Sequence, residues 1–279
     1  MRYPNRTIAV LAAGAVLTCS AAVAGEASAQ EKQMTVAMIT HAQPGDTFWD
    51  IIRKGAEAAA KKDNIKLIYL ADPTATKQAQ LISNVVEQHV DGIALTLAFP
   101  DAEASAVKAA QRAGIPIVGF NAGVDQWKSQ GLLGYAGQDE TVAGKAVGEE
   151  LNKEGAKNVV CLDQQQGAVQ LEARCNYVVT LGAAFAPVVL EAVTASGSKA
   201  EVGTFDLSPV AIDLIANGKI QWAVDQQPYV EGYEAVDMLW LYVTNGDTLG
   251  GGGPVLTGPF FVTKDNAAGV AKYAKAGTR

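Results

Sequence analysis

The sequence is poor in the side chains that most enzymes use for chemistry. Its 279 residues include only two histidines and three cysteines. It contains no H-E-x-x-H pair, no Cys/His group with metal-ligand spacing, no Ser–His pair and no G-x-x-x-x-G-K-[ST] phosphate loop. We therefore expect no metal site, no cofactor and no catalytic residues, which is the pattern of a protein that is not an enzyme.

Charged residues are also scarce, at 18% of the chain, and 22 Lys and Arg face 29 Asp and Glu. No Lys/Arg cluster occurs, whereas nucleic-acid binding needs clustered cations to neutralise phosphates. No helix-turn-helix precedes the first predicted strand, which argues against a transcriptional regulator. The hydrophobic share of 49% is that of a globular protein, so we expect a folded chain without a nucleic-acid partner.

The only long apolar run lies at the N-terminus. Arg2 and Arg6 precede an apolar stretch over residues 8–24, and Ala27-Ser28-Ala29 fits the small-x-small rule for cleavage. A retained membrane helix is the alternative, but the run is short for one. Residues 1–29 are therefore predicted to be a cleavable signal peptide that exports the protein to an oxidising compartment.

Two cysteines, Cys161 and Cys175, follow the predicted cleavage site. Exported cysteine pairs are often bridged, so a Cys161–Cys175 disulfide is predicted. The alternative is two buried free thiols, which behave as small hydrophobic side chains.

Short apolar runs alternate with amphipathic, alanine-rich stretches along the rest of the chain. Runs without polar alternation are typical of strands buried on both faces, and the βα alternation predicts parallel sheets covered by helices. The rhythm breaks over residues 121–137 and then restarts, which indicates two doubly wound α/β lobes. The predicted strands are 34–39, 65–71, 92–98, 115–120, 158–163, 177–182, 201–206 and 220–225. The predicted helices are 48–62, 75–89, 102–113, 139–154, one starting near 168, 184–196, 208–216 and 228–244.

The stretch "HAQPGDTFWDIIRKGAEAAA" (41–60) places two aromatic residues where a turn becomes a helix. Asp46 or Thr47 can cap this helix. Phe48 and Trp49 point about 100° apart, so both cannot lie at the centre of its apolar face. In one interpretation, one ring packs in the hydrophobic core and the other covers the end of the helix. In the other interpretation, both rings line a pocket, because parallel sheets bind ligands at the carboxyl ends of their strands.

The residues that follow the other predicted strands favour the pocket. They are rich in Asn, Asp and Gln, which form hydrogen bonds with hydroxyl groups, while sugar C–H faces can pack on Phe and Trp. A polyhydroxylated ligand is therefore predicted.

Several short motifs occur in an order that resembles a known family. They are "DTFW" (46–49), "DGIAL" (91–95), "AGIPIVGFN" (113–121), "VVCLDQQQG" (159–167), "LEARC" (171–175), "VGTFD" (202–206) and "DQQP" (225–228). With them the chain resembles the periplasmic sugar-binding proteins of ABC importers, of the ribose-binding type that is related to LacI-type repressors.

The resemblance implies a type I periplasmic binding protein fold whose two lobes close on one sugar or polyol. It implies an N-terminal lobe over 30–121 with return segments near 225–245 or the C-terminus, a crossing region over 122–138, a C-terminal lobe over 139–226, and a hinge return and tail over 245–279. It also implies a monomer in the periplasm whose partner is a membrane-embedded ABC permease. The ligand-binding residues that it implies are Asp46, Phe48, Trp49, Asn121, Arg174, Asp206 and Gln226.

The sequence departs from the family in two ways. Asn121-Ala122 stands where many sugar binders carry an Asp-Arg fork, and Gly182-Ala183 stands where Asn-Asp is common. The chain also passes directly from Asn176 to Tyr177 where the family has a further strand and helix, so about 40 residues are expected to be absent and the second lobe truncated.

Three functions are compatible with these features. The first is a binding protein that delivers a sugar or polyol to an ABC permease. The second is an exported sensor subunit that presents the same kind of ligand to a receptor. The third is an exported glycosidase, since Asp46 and Asp206 could supply the two facing carboxylates that such an enzyme needs.

Overall fold

A computed structural model describes residues 33–162 and 175–279, and the predicted signal peptide and Arg174 lie outside these residues. The strands are β1 (Thr35–Thr40), β2 (Lys66–Ala71), β3 (Gly92–Leu95), β4 (Ile117–Phe120), β5 (Gly134–Gly137), β6 (Val159–Leu162), β7 (Tyr177–Thr180), β8 (Glu201–Phe205), β9 (Trp222–Asp225), β10 (Val255–Leu256) and β11 (Phe260–Thr263). The helices are α1 (Thr47–Lys62), α2 (Ala75–Glu87), α3 (Pro100–Arg112), α4 (Glu140–Lys153), α5 (Ala186–Ala195), α6 (Pro209–Ala216), α7 (Pro228–Asn245) and α8 (Ala267–Ala276).

The first sheet has the strand order β10-β5-β4-β3-β1-β2, and all of its pairs are parallel. Successive residues of a strand point to opposite faces, so each face needs its own cover. Val36 and Met38 of β1 pack with α1 and α7, whereas Ala37 and Ile39 pack with α2 and α3. This two-sided burial explains why the strands are apolar runs in the sequence.

The second sheet has the order β11-β9-β8-β7-β6, with β11 antiparallel and the other pairs parallel. Helices α5, α6 and α8 cover one face, and α4 contributes Val147 to a smaller cluster on the other. The prediction of an α/β fold with two parallel-sheet lobes is confirmed.

Within residues 33–162 and 175–279, the chain passes between the two sheets three times. It crosses after β5, again between β9 and α7, and finally between β10 and β11. The three crossings lie side by side, because a Cβ added at Gly258 would lie 2.9 Å from Gln138 Oε1 and 3.0 Å from Gln226 Cα. The carboxyl ends of both sheets therefore meet near these crossings.

Two predicted boundaries differ from the structure. Residues 134–137 of the predicted crossing region form β5 inside the first sheet, so the first crossing begins after Gly137. The predicted C-terminal tail contains β10, which joins the first sheet, and β11 with α8, which join the second.

The second sheet ends at β6, which pairs directly with β7 in parallel register. Val159 and Cys161 of β6 are exposed, whereas all four residues of β7 are buried. Asn176 holds the start of β7 in place, since its Oδ1 accepts hydrogen bonds from the backbone N–H groups of Lys157 and Asn158, each at 2.9 Å.

No helix within residues 33–162 and 175–279 is long and apolar enough to cross a membrane.

Candidate ligand-binding site

Three of the predicted binding residues follow the carboxyl ends of strands from both sheets. Asn121 follows β4, Asp206 follows β8 and Gln226 follows β9. The backbone of Asn121 (φ 60°) and of Asp206 (φ 63°) lies in the left-handed region, which non-glycine residues seldom adopt. Such conformations persist where the surrounding structure holds them, and they are frequent at binding sites.

Hydrogen bonds join these three side chains across the two sheets. Gln226 Nε2 donates to Asp206 Oδ1 at 2.7 Å, and Asn121 Nδ2 lies 3.4 Å from Gln226 Oε1. Gln226 therefore links the first lobe to the second through its own side chain. This is an arrangement in which a ligand hydroxyl can replace either contact.

A buried carboxylic acid lies beside this cluster, at a position that the sequence interpretation missed. Glu231 of α7 is fully buried, and its Oε2 accepts a hydrogen bond from Asn121 Nδ2 at 3.1 Å. Its Oε1 accepts one from the Thr257 hydroxyl at 3.3 Å, on the third crossing. Burial raises the pKa of Glu231 well above its ordinary value, and the hydrogen bond from Asn121 opposes this rise. Glu231 thus joins α7 to the end of β4 and to the third crossing through its side-chain hydrogen bonds.

Asp206 has the most perturbed electrostatics among the predicted site residues. Burial raises its pKa from 3.8 to about 7, the hydrogen bond from Gln226 opposes the rise, and the nearby Asp225, Glu140 and Asp46 carboxylates add to it. The carboxyl group therefore changes charge near neutral pH.

This shift predicts how stability depends on pH. Between pH 4 and 7 the folded chain holds a proton on Asp206 that the unfolded chain has released, so stability falls as pH rises through this window. Asp206→Asn should remove on the order of 2 kcal/mol of this decline. Urea unfolding at pH 4, 5, 6 and 7 measures it.

Glu191→Gln, at an exposed position of α5, is the matched control and should keep the wild-type profile. An unchanged profile in Asp206→Asn would show that this carboxyl group has the same pKa in the folded and the unfolded chain.

The aromatic pair that follows β1 has divided roles. Asp46 caps α1, because its Oδ1 accepts a hydrogen bond from Phe48 N at 3.1 Å. Trp49 is only 6% exposed and belongs to the core of the first lobe, in edge contact with His41, whereas Phe48 is half-buried. The expectation that both rings line a pocket is therefore not met by Trp49, whose ring is core.

The whole arrangement follows a known family pattern. Residues 36–180 and 163–247 match the periplasmic binding protein domain, which is more than half of the chain. The chain belongs to this family. The solved structures that it resembles confirm the type of fold as well as the family.

One solved structure is much more similar to this periplasmic binding protein than the curated relatives are. It is a carbohydrate transporter from Acidothermus cellulolyticus, determined in complex with myo-inositol, with 51% identity over 88% of this chain and 100% of that chain and a TM-score of 0.83.

Two curated relatives are more distant. The xylose/arabinose-binding protein of Sulfolobus acidocaldarius is 22% identical over 236 residues, covering 65% of this chain and 58% of that protein. The ribose import binding protein of Bacillus subtilis is 26% identical over 107 residues, covering 38% of this chain and 35% of that protein. The chain thus spans little more than half the length of the first of these relatives and about a third of the second.

The predicted disulfide of this periplasmic binding protein is contradicted by the structure, in which Cys161 and Cys175 are free. Cys161 pairs with Val179 in the β6–β7 register, whereas Cys175 lies four residues before Val179 and two residues before the start of β7. Four residues of strand span about 13 Å, which is roughly twice the reach of a disulfide. The spacing in the sequence did not reveal this register.

Proposed function

We propose that this chain is an exported solute-binding protein that captures a sugar or polyol between two lobes and delivers it to an ABC permease. The observation that carries the proposal is the Asn121–Gln226–Asp206 cluster, in which side chains from two separate sheets meet. A ligand bound there contacts both lobes, and so its binding favours their closed arrangement. The protein acts as a monomer in the periplasm, after removal of residues 1–29.

The cluster matches the chemistry of a polyhydroxylated ligand. An amide group both donates and accepts, a carboxylate accepts strongly, and together they pair with adjacent hydroxyl groups. Asn121 offers no charge-assisted bond, unlike an Asp-Arg fork, and Ala122 offers no side-chain hydrogen bond. We therefore favour a cyclitol, polyol, ketose or modified sugar over ribose or galactose. The myo-inositol complex of the 51% identical carbohydrate transporter supports this class.

A thermal-shift screen with myo-inositol, D-ribose, D-galactose, D-xylose and D-tagatose tests the proposal, followed by calorimetry on each hit. A ligand present at 100 times its Kd should stabilise the fold by about 2.7 kcal/mol. Tight and exclusive binding of ribose or galactose would refute the ligand class. No shift with any polyol or sugar would refute the function.

Two further experiments separate binding from catalysis and from sensing. Asp206 has the near-neutral pKa that a glycosidase acid needs, so the protein is also incubated with methyl and nitrophenyl glycosides of the same sugars, and the products are analysed by mass spectrometry. Unchanged ligand supports a binding protein, and hydrolysed glycosides would indicate the enzyme. Coupling of ligand-bound protein to a receptor and not to a permease would indicate the sensor.

We also propose that the second lobe lacks one strand–helix unit beyond β6. The family match supports this, because residues 163–180 are matched twice, at the end of one segment and at the start of the next. The position of β6 as the last strand of its sheet supports it too, since a further strand would pair with its outer edge. The exposure of Val159 and Cys161 leaves one face of β6 uncovered, and a further helix would pack there.

Inserting a family-like strand–helix segment after Asn176 is expected to raise the melting temperature and the ligand affinity together. The added strand would cover the β6 edge, and the added helix would cover apolar surface. A Gly/Ser insertion of equal length is the control and should lower both. If the strand–helix insertion changes neither, the short second lobe is a complete arrangement.

A further inference from the structure

A cavity of about 420 Å³ opens between α4 and the second sheet. Strands β6, β7 and β8 contribute to one wall and α4 forms the other. The residues that line it are Gln138, Glu140, Gly144, Val147, Gly148, Leu151, Cys161, Val179, Leu181, Phe205, Asp206 and Gln226.

One end of this cavity is polar and belongs to the candidate site. Gln226 and Asp206 are hydrogen-bonded to each other there at 2.7 Å. Gln138 Nε2 donates to Glu140 Oε2 at 3.0 Å on the same rim. A ligand held by Asp206 and Gln226 therefore has the cavity beside it.

The remainder of the lining is apolar and has room. Val147, Val179, Leu181 and Phe205 present hydrocarbon surface, and Leu181 is 37% exposed although it directly follows a buried strand. On the α4 side, a Cβ added at Gly148 would meet no other atom within 4 Å. A polyol hydroxyl placed against these walls would lose its hydrogen bonds, which is costly, whereas an alkyl group would gain from leaving water.

We propose that this cavity is a subsite for an apolar substituent carried by the polyhydroxylated ligand, such as the alkyl group of an O-alkyl sugar or cyclitol. The proposal rests on the function proposed above. The volume of the cavity falls in the range of small-molecule pockets. The polar rim matches the hydroxyl groups of such a ligand, and the apolar walls match its alkyl group.

Calorimetry with matched ligand pairs tests the subsite. The parents are myo-inositol and D-xylose, and the partners are the mono-O-butyl ethers of myo-inositol and butyl β-D-xyloside. In the wild-type protein at least one butyl compound should bind at least about tenfold more tightly than its parent. A tenfold gain is about 1.4 kcal/mol, and burial of two of the four butyl carbons at about 0.8 kcal/mol each supplies it. In Gly148→Leu, whose side chain would occupy the cavity, this advantage should disappear.

Gly269→Leu is the matched control, because Gly269 is also an exposed helical glycine with no atom within 4 Å of an added Cβ, and it lies on α8 away from the cavity. It should keep the tenfold advantage. In the chain without residues 1–29 and with Cys175→Ser, the butyl compound should also slow alkylation of Cys161 several-fold more than its parent does at equal saturation.

If a parent binds and no butyl compound binds more tightly, the subsite does not exist while the proposed function stands. The same holds if Gly148→Leu keeps the full advantage. If neither the parents nor the butyl compounds bind, both proposals fail.

Discussion

Replacing Trp49 with alanine is expected to lower the free energy of unfolding by about 3–5 kcal/mol, as for other large core truncations. The indole is 6% exposed and lies in the same cluster as Ile52 and Ala56 of α1. Its ring centroid is 4.7 Å from that of His41, whose burial lowers the histidine pKa to about 4 and keeps the imidazole neutral. Truncation would open a cavity at this contact and admit water to it. Urea unfolding at pH 7 measures the loss.

Phe48→Ala is the matched control for this prediction. Phe48 is the neighbouring residue and contacts Trp49 edge-on with ring centroids 5.4 Å apart, but it is half-buried. Its truncation should cost less stability and more ligand affinity than that of Trp49, because its accessible face can pack on a ligand. Equal stability losses in the two variants, or an unchanged free energy of unfolding in Trp49→Ala, would show that Trp49 is not a core residue. A larger loss of ligand affinity in Trp49→Ala than in Phe48→Ala would place Trp49 at the ligand.

Asp206→Ala is expected to weaken binding of the best ligand by roughly 30- to 1000-fold, which is the cost of truncating a central binding residue. The carboxyl group accepts from Gln226, and Gln226 in turn contacts Asn121 of the other lobe. Its removal therefore takes away a hydroxyl acceptor and also frees the side chain that connects the lobes. Isothermal calorimetry at pH 7.5 measures the change in Kd.

Two further variants define what the carboxyl group contributes. Asp206→Asn keeps an acceptor oxygen and should lose less affinity than the alanine variant. Asp213→Ala, an exposed position of α6, should leave the Kd unchanged. Wild-type affinity in Asp206→Ala would show that Asp206 does not contact the ligand. The candidate site would then consist of Asn121 and Gln226 without this carboxyl group.

Local patterns in the sequence were sufficient for most of the secondary structure. The apolar run at 201–206 predicts β8 (Glu201–Phe205), and the stretch 228–244 predicts α7 (Pro228–Asn245). A strand that is buried on both faces appears in the sequence as a continuous apolar run, and an amphipathic helix appears as apolar residues with a period of 3.6. Both patterns can be recognised within a short segment. Strand β10 has two residues and pairs with β5, more than a hundred residues earlier, so no such repeat exists for it.

The buried face of α7 required the tertiary structure. Apolar residues recur along this helix at i, i+4 and i+7 spacing, which predicts its core face. They are Tyr229, Tyr233, Val236, Trp240 and Val243. Val243 is nevertheless exposed, and the buried residues include Glu231 and Gly232. The reason is the partner helix. An added Cβ at Gly232 would overlap the Ile52 carbonyl, so α1 and α7 approach through glycine at a distance that hydrophobicity alone does not indicate.

For the candidate site, the strand-end rule gave a longer list of residues that included Asn121, Asp206 and Gln226, because the carboxyl ends of parallel strands converge whatever the side chains are. The resemblance to sugar-binding proteins then selected these three from the list. The strand-end rule could not identify Glu231, which looks like an ordinary helix surface residue in the sequence. In the structure, Asn121 after β4 and Thr257 on the third crossing donate hydrogen bonds to its carboxyl group. The rule also could not place Cys161 and Cys175 in register, nor assign Trp49 to the core. Sequence thus determined which segments form strands and helices and which strand ends lie at the candidate site, since both depend on local order. Burial, register and pKa depend on residues distant in the chain, and only the packing of the two sheets decided them.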